Sequence, residues 1–239
     1  MASEGDIVLS YYDTCLRTSE VNLLKGNKWL NDNVIGFWFD YLENDLYSDV
    51  SDHIAFLSPN VVHFIKSSGN KHNTEAVAEM LASMVLPDKQ LVLIPVNDSS
   101  VYQKETSGSH WSLLVFNKHR QSFEHYDSHT GSINRSHAEH IVSILTPIVM
   151  AGNGDGGNQK PPAADLELDL QEMECTQQDN NYDCGVHLIC NAEAVCRRLF
   201  RSDSRHICEI CSPKAIAKAR RDLLQLIVSL AKGTHNSKK

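Results

Sequence analysis

Apolar residues recur along this chain with three spacings, and each spacing predicts a different element. Val34, Ile35, Trp38, Phe39 and Leu42 fall on one helical face behind a capping Asn31 or Asp32, which predicts a buried helix running to about Tyr47. Ser58-Pro59 predicts the start of a second, short helix, because serine caps and proline suits the first helical position. Residues 91–96, 111–116 and 122–126 are short β-branched or aromatic runs bounded by turn residues, the pattern of strands in a sheet. Residues 166–173 alternate apolar and polar as an edge strand does, and 185–200 and 213–232 read as helices. Helices, then strands, then helices again predict an α+β fold with a central sheet, since a doubly wound α/β sheet needs the two to alternate. The Gly/Pro/Asn-rich stretch at 152–162 predicts a long loop or hinge, about 151–163, between two lobes of one domain spanning 1–239.

At 239 residues the chain can bury a core without staples. A net charge of -8 argues against nucleic acid as a partner, and Arg197, Arg198 and Arg201 stand among acids. Seven cysteines, an odd number dispersed through the chain, read as free thiols in a reducing compartment. The first residues carry Glu4 and Asp6 with neither a basic start nor a long apolar run, so no secretory signal is expected. The apolar runs are too short to cross a bilayer. Cytoplasm and nucleus, no membrane partner, no cofactor and a monomer are the resulting expectations.

The densest chemical signal is the polar run Gln177 to Asp183, which ends in Cys184 at the start of an apolar helix. Unpaired N–H groups and the positive dipole end favour thiolate there, the form that attacks carbonyls. Gly185 would let a substrate backbone approach closely. Cys15, Cys175, Cys190 and Cys196 read instead as small packing residues. A base is needed, and of twelve histidines His110 stands out because it immediately precedes the strand starting at Trp111. Asp127 ends the next strand; pairing of the two strands as a hairpin would bring carboxylate and imidazole to one sheet edge, fixing the tautomer and stabilising the imidazolium. His125, His129, His137 and His140 are weaker candidates, better read as surface or packing residues. Gln178, six positions before Cys184, could donate to a developing oxyanion together with the cysteine amide.

His110-Trp111, then Tyr126-Asp127-Ser128, then Gln178 to Cys184-Gly185, in that order, resemble the Ulp/SENP proteases of ubiquitin-like modifiers. The resemblance covers nearly the whole chain and implies a papain-like fold, a central mixed sheet flanked by helices, a His-Asp-Cys triad and a Gln oxyanion donor. Trp29-Leu30-Asn31-Asp32, Ile35-Gly36-Phe37, Gly108 to Val115 and Tyr182 to Gly185 are most similar to the deneddylating branch; SUMO-directed members tend to carry Gly-Ser where Asn181-Tyr182 stands here. This implies the neddylation modifier and its conjugates, such as cullins, as partners, with precursor processing as a second reaction. It further implies that Trp29 and Trp111 wall a tunnel over a Gly-Gly tail, that Asp32 holds the tail's backbone, and that 97–109 forms a lid. Trp38 reads as a core residue. The Gly-rich stretch at 152–162 is longer than the family leads one to expect.

Alternatives are a SUMO-directed protease of the same family, a binding module that grips a modifier without cutting it, and an acyltransferase. A binding module would be expected to lack a triad member, and the tryptophan pair argues for a glycine tail over an acetyl group. His206, Cys208 and Cys211 lack the second ligand pair that a structural zinc needs, so no metal is expected.

Overall fold

The computed structural model describes residues 3–68, 74–99, 108–151 and 168–236. In chain order these form a hairpin of β1 (Ile7–Tyr11) and β2 (Thr14–Arg17), α1 (Thr18–Leu23), α2 (Asp32–Tyr41), β3 (Ile54–Phe56), α3 (Pro59–Ser68) and α4 (Glu75–Leu81). There follow β4 (Leu91–Asn97), β5 (Trp111–Asn117), β6 (Ser122–Tyr126), α5 (Asn134–Val149), β7 (Leu170–Glu172), α6 (Cys184–Phe200), α7 (Ile207–Ile210) and α8 (Pro213–Asn236).

Strands β3 to β7 make one sheet in that order, parallel at both edges and antiparallel between β4, β5 and β6. The α+β mixed sheet flanked by helices is as expected. Its central strands are continuous apolar runs because both faces are covered, which removes any polar alternation. Leu91, Leu93, Leu113 and Val115 face one core with α2, α6 and α8. Val92, Ile94, Leu114 and Phe116 face a second core with α3, α4 and α5. The period of two in the side chains thus divides the interior at the sheet.

Local chemistry sets the helix starts. Asn31 Oδ1 accepts from the Val34 amide and caps α2. Ser58 Oγ accepts from the Val61 amide at the start of α3. The helix expected to reach Tyr47 is α-helical only to Tyr41 and then widens into a single π-type segment, Leu42–Leu46. The edge strand expected over 166–173 is three residues long; residues 166 and 167, and the stretch 152–162, lie outside the described residues.

Candidate active site

Pairing of Leu113 with Tyr126 in the β5–β6 ladder sends the residue before β5 and the residue after β6 out of the same end of the sheet. These are His110 and Asp127, and His110 Nε2 lies 2.7 Å from Asp127 Oδ1. The same oxygen accepts from the His129 amide at 2.9 Å, and Oδ2 accepts from the Ser132 hydroxyl. Burial works to raise the Asp127 pKa, but these donors, His110 first, hold it below the usual carboxylate range. Burial likewise works to lower the His110 pKa; hydrogen bonds to Asp127 and to the Cys184 thiol outweigh it and lift the imidazole to about 9. The expected hairpin geometry is therefore present, with carboxylate and imidazole in contact and the Cys184 thiol close enough to raise the imidazole's pKa.

Cys184 is the first residue of α6 and is 2% exposed. Asp183 occupies the capping position before it, yet its side chain makes no cap hydrogen bond. The remaining cysteines of α6 behave as packing residues: burial pushes the Cys190 and Cys196 thiols far up, and that of Cys175, nearby, to about 12. Gly185 has a different reason from the one its position suggested. A Cβ there would stand 2.9 Å from the Leu30 Cβ, so the missing side chain admits Leu30 and lets α6 seat against the segment leading into α2.

A cleft of about 280 Å³ is lined by Trp29, Asp32, Gly108, Trp111 and Cys184 among others. The three residues expected to contact substrate thus share the lining of one cleft with Cys184. The tryptophans differ in setting. Trp29 is 49% exposed, with Nε1 donating to the Asn181 carbonyl at 2.6 Å, whereas Trp111 is 7% exposed and donates to the Leu30 carbonyl at 3.1 Å. Trp38 packs against the helix that Cys184 opens, its Nε1 donating to the Ile189 carbonyl, as a core role requires. Gln178 accepts from the Ser128 hydroxyl at 2.9 Å and donates its own amide to the Asn180 carbonyl at 2.7 Å, so in this conformation its NH₂ is engaged within the loop.

Several residues that support the site carry no motif. Asp98 accepts from the amides of Ser109 and His110 and from the Ser109 hydroxyl, fixing the backbone that delivers the histidine. Buried Lys66 donates to the carbonyls of Asn97 and Ser99, and burial brings its pKa down to about 8 despite the nearby Asp98. A Cβ on Gly108 would lie 1.7 Å from Asn97 Oδ1, so a side chain there would have to displace that of Asn97. Residues 100–107 of the expected lid lie outside the described residues. Among the weaker histidines, His125 is buried between Glu172 and Ser112, and His140 donates to the Lys66 carbonyl. His129 sets its ring edge-on to His110 at 5.7 Å, a proximity that sequence position alone did not single out. His206 caps α7 by accepting from the Cys208 amide. Among the described residues no group of three His, Cys, Asp or Glu side chains could hold a metal ion.

A family model described as the Ulp1 protease family, C-terminal catalytic domain, matches residues 28–224. The chain belongs to the Ulp1 protease family. Among its relatives, sentrin-specific protease 8 of Homo sapiens is 39% identical over 226 residues, covering 95% of this chain and 98% of that one. NEDD8-specific protease 1 of Arabidopsis thaliana is 35% identical over 197 residues, covering 81% and 77%. In solved structures, the Ulp1 protease domain in complex with Smt3, the yeast ortholog of SUMO, superposes with a TM-score of 0.65 at 19% identity, covering 96% of this chain and 90% of that one. Ulp1 with its catalytic cysteine oxidised to a sulfinic acid gives 0.69 at 20% identity, covering 96% and 90%. The protein is accordingly an Ulp1-family cysteine peptidase, and the family, fold and enzyme class read from the motifs are as expected. What the Ulp1-type arrangement offers chemically is a thiol beside a raised-pKa imidazole, itself held by a carboxylate, in the lining of a cleft that two indoles share.

Proposed function

We propose that this peptidase cleaves after the C-terminal glycine of a ubiquitin-like modifier, with the neddylation modifier NEDD8 preferred over SUMO. Cys184 Sγ, as thiolate beside the His110 imidazolium, attacks the carbonyl carbon of that glycine. The Cys184 amide and Gln178, released from the Asn180 carbonyl when substrate enters, stabilise the oxyanion. The tetrahedral intermediate collapses, the C–N bond breaks, and His110 gives its proton to the departing amine. Water, deprotonated by His110, then attacks the thioester and frees the modifier carboxylate and the thiol. A peptide bond in a precursor and an isopeptide bond to a lysine of a conjugated target both fit this sequence.

The observation that carries this reading is the cleft itself: Trp29, Asp32 and Trp111 line it together with Cys184, and flat indole faces suit a tail of glycines. The names of the relatives, among them one NEDD8-specific protease of Arabidopsis thaliana and two of Schizosaccharomyces pombe, support the preference. The test is Cys184→Ala assayed with a C-terminal fluorogenic conjugate of NEDD8 and, separately, of SUMO. Loss of turnover with NEDD8 binding retained is expected, and the wild type should turn over the NEDD8 conjugate faster. Unchanged turnover in the variant would remove the nucleophile; faster cleavage of the SUMO conjugate would remove the preference.

A further inference from the structure

Arg220, on α8, makes four hydrogen bonds around the nucleophile loop from one guanidinium that is 12% exposed. Nε donates to Asp183 Oδ1 at 2.6 Å, Nη1 to the Leu23 carbonyl at 3.0 Å, and Nη2 to the carbonyls of Lys28 at 2.6 Å and Tyr182 at 2.9 Å. Its acceptors come from both walls of the channel: Lys28 precedes Trp29, and Tyr182-Asp183 precede Cys184. The two walls meet again where Trp29 Nε1 donates to Asn181.

The Asp183 carboxylate is the informative acceptor. Aspartate at the position before a helix ordinarily turns its side chain onto the first free amides and caps them. Here φ -97° and ψ 7° keep Asp183 out of the extended conformation of a cap, and no cap bond forms. Asn180 reinforces this, donating to Asp183 Oδ2 while its own Oδ1 accepts from the amides of Tyr182 and Asp183. A carboxylate turned onto the start of α6 would put negative charge where thiolate and oxyanion must develop, and would compete for the donors that serve them.

We propose that Arg220 is a positioning residue: it withdraws the Asp183 carboxylate from the start of α6, leaving those amides to the reaction, and ties the Trp29 wall of the channel to the nucleophile loop. The inference rests on Cys184 being the nucleophile. Lysine cannot replace it, since a single ammonium lacks the planar fork that spans a carboxylate and three carbonyls.

The experiment measures kcat and KM on a fluorogenic NEDD8 conjugate, the rate of Cys184 alkylation by iodoacetamide at neutral pH, and melting temperature, all rates taken well below that temperature. Arg220→Met is expected to lower kcat on the order of 10- to 100-fold, the scale on which small misplacements act, to raise KM by loosening the Trp29 wall, and to slow alkylation. Arg220→Lys should fall between it and wild type. In Arg220→Met/Asp183→Asn the displaced charge is gone, so alkylation should return towards the wild-type rate while the channel wall stays loose and KM stays raised. A double variant that regains its melting temperature without regaining alkylation would overturn the proposal, as would wild-type kcat and alkylation in Arg220→Met. Should Arg220→Met not fold, Arg220→Lys carries the test: reduced kcat at an unchanged melting temperature is expected, and unchanged kcat overturns the proposal. Alkylation of Cys184 that leaves wild-type turnover intact would instead remove the nucleophile assignment beneath it.

Discussion

His110 is pulled two ways by its surroundings. Burial disfavours the imidazolium; Asp127 and Cys184 favour it and win, raising the folded-state value from 6.5 to about 9. Because the folded value lies above the unfolded one, the stability His110 contributes is complete below about pH 6.5 and is lost as pH rises through about 9. We therefore expect the alkaline limb of kcat/KM near pH 9, moving to lower pH in Asp127→Asn; a limb that stays put in the variant would separate Asp127 from the imidazole's titration. The tryptophans divide at the same scale. Trp111→Ala, which empties a buried site, should cost about 3–5 kcal/mol by denaturant unfolding. Trp29→Ala, losing one hydrogen bond at a half-exposed residue, should cost about 1 kcal/mol yet reduce turnover substantially. Equal stability losses in the two would contradict the assignment of Trp29 to substrate. Residue chemistry of this kind was largely legible: Cys184, His110 and Asp127 carry their signal in immediate neighbours and in the strands they end. Asp98, Lys66 and Ser132 were not, because what marks them is a hydrogen bond to a residue outside their own element rather than a local pattern.

Elements carry the site through packing, and the contact of α6 with Leu30 is the tightest example. Gly185→Ala must move either the helix start or Leu30, so a loss of about 1–3 kcal/mol is expected on denaturation. Combined with Leu30→Ala the cost should be less than the sum of the two, since the new methyl enters the space the leucine leaves. Strict additivity in that cycle would mean the contact is not what fixes the helix. The elements that escaped sequence reading share a cause. Helix α5 opens on Asn134, Arg135, Ser136 and His137 and contains Pro147, so both its start and its interior carry signals against a helix, overridden by burial of Ile141, Ile144, Leu145 and Ile148 on the sheet. The β1–β2 hairpin turns at Tyr12-Asp13, with the bulky Tyr12 at φ 44°, so Asp13 alone announces the turn and the Asn-Gly or Asp-Gly pair that marks a tight hairpin is missing.

Across the whole molecule the sheet separates two cores, and the site lies at one end of it, where β5 starts, β6 finishes and the start of α6 comes close to them. The α+β class was readable because continuous apolar strands flanked by amphipathic helices admit few other arrangements. How the Trp29 wall, the His110 turn and the nucleophile loop close on one channel was not, since that depends on contacts such as Trp29 with Asn181 that span most of the chain. The most direct test of this assembly is mass-spectrometric mapping of the adduct formed with a NEDD8 chain whose C-terminal glycine carries a thiol-reactive electrophile. A single adduct on Cys184, abolished when Trp29 and Trp111 are both replaced by alanine in protein that remains folded, is the predicted result. Labelling of Cys15, Cys190 or Cys208 in place of Cys184 would contradict it.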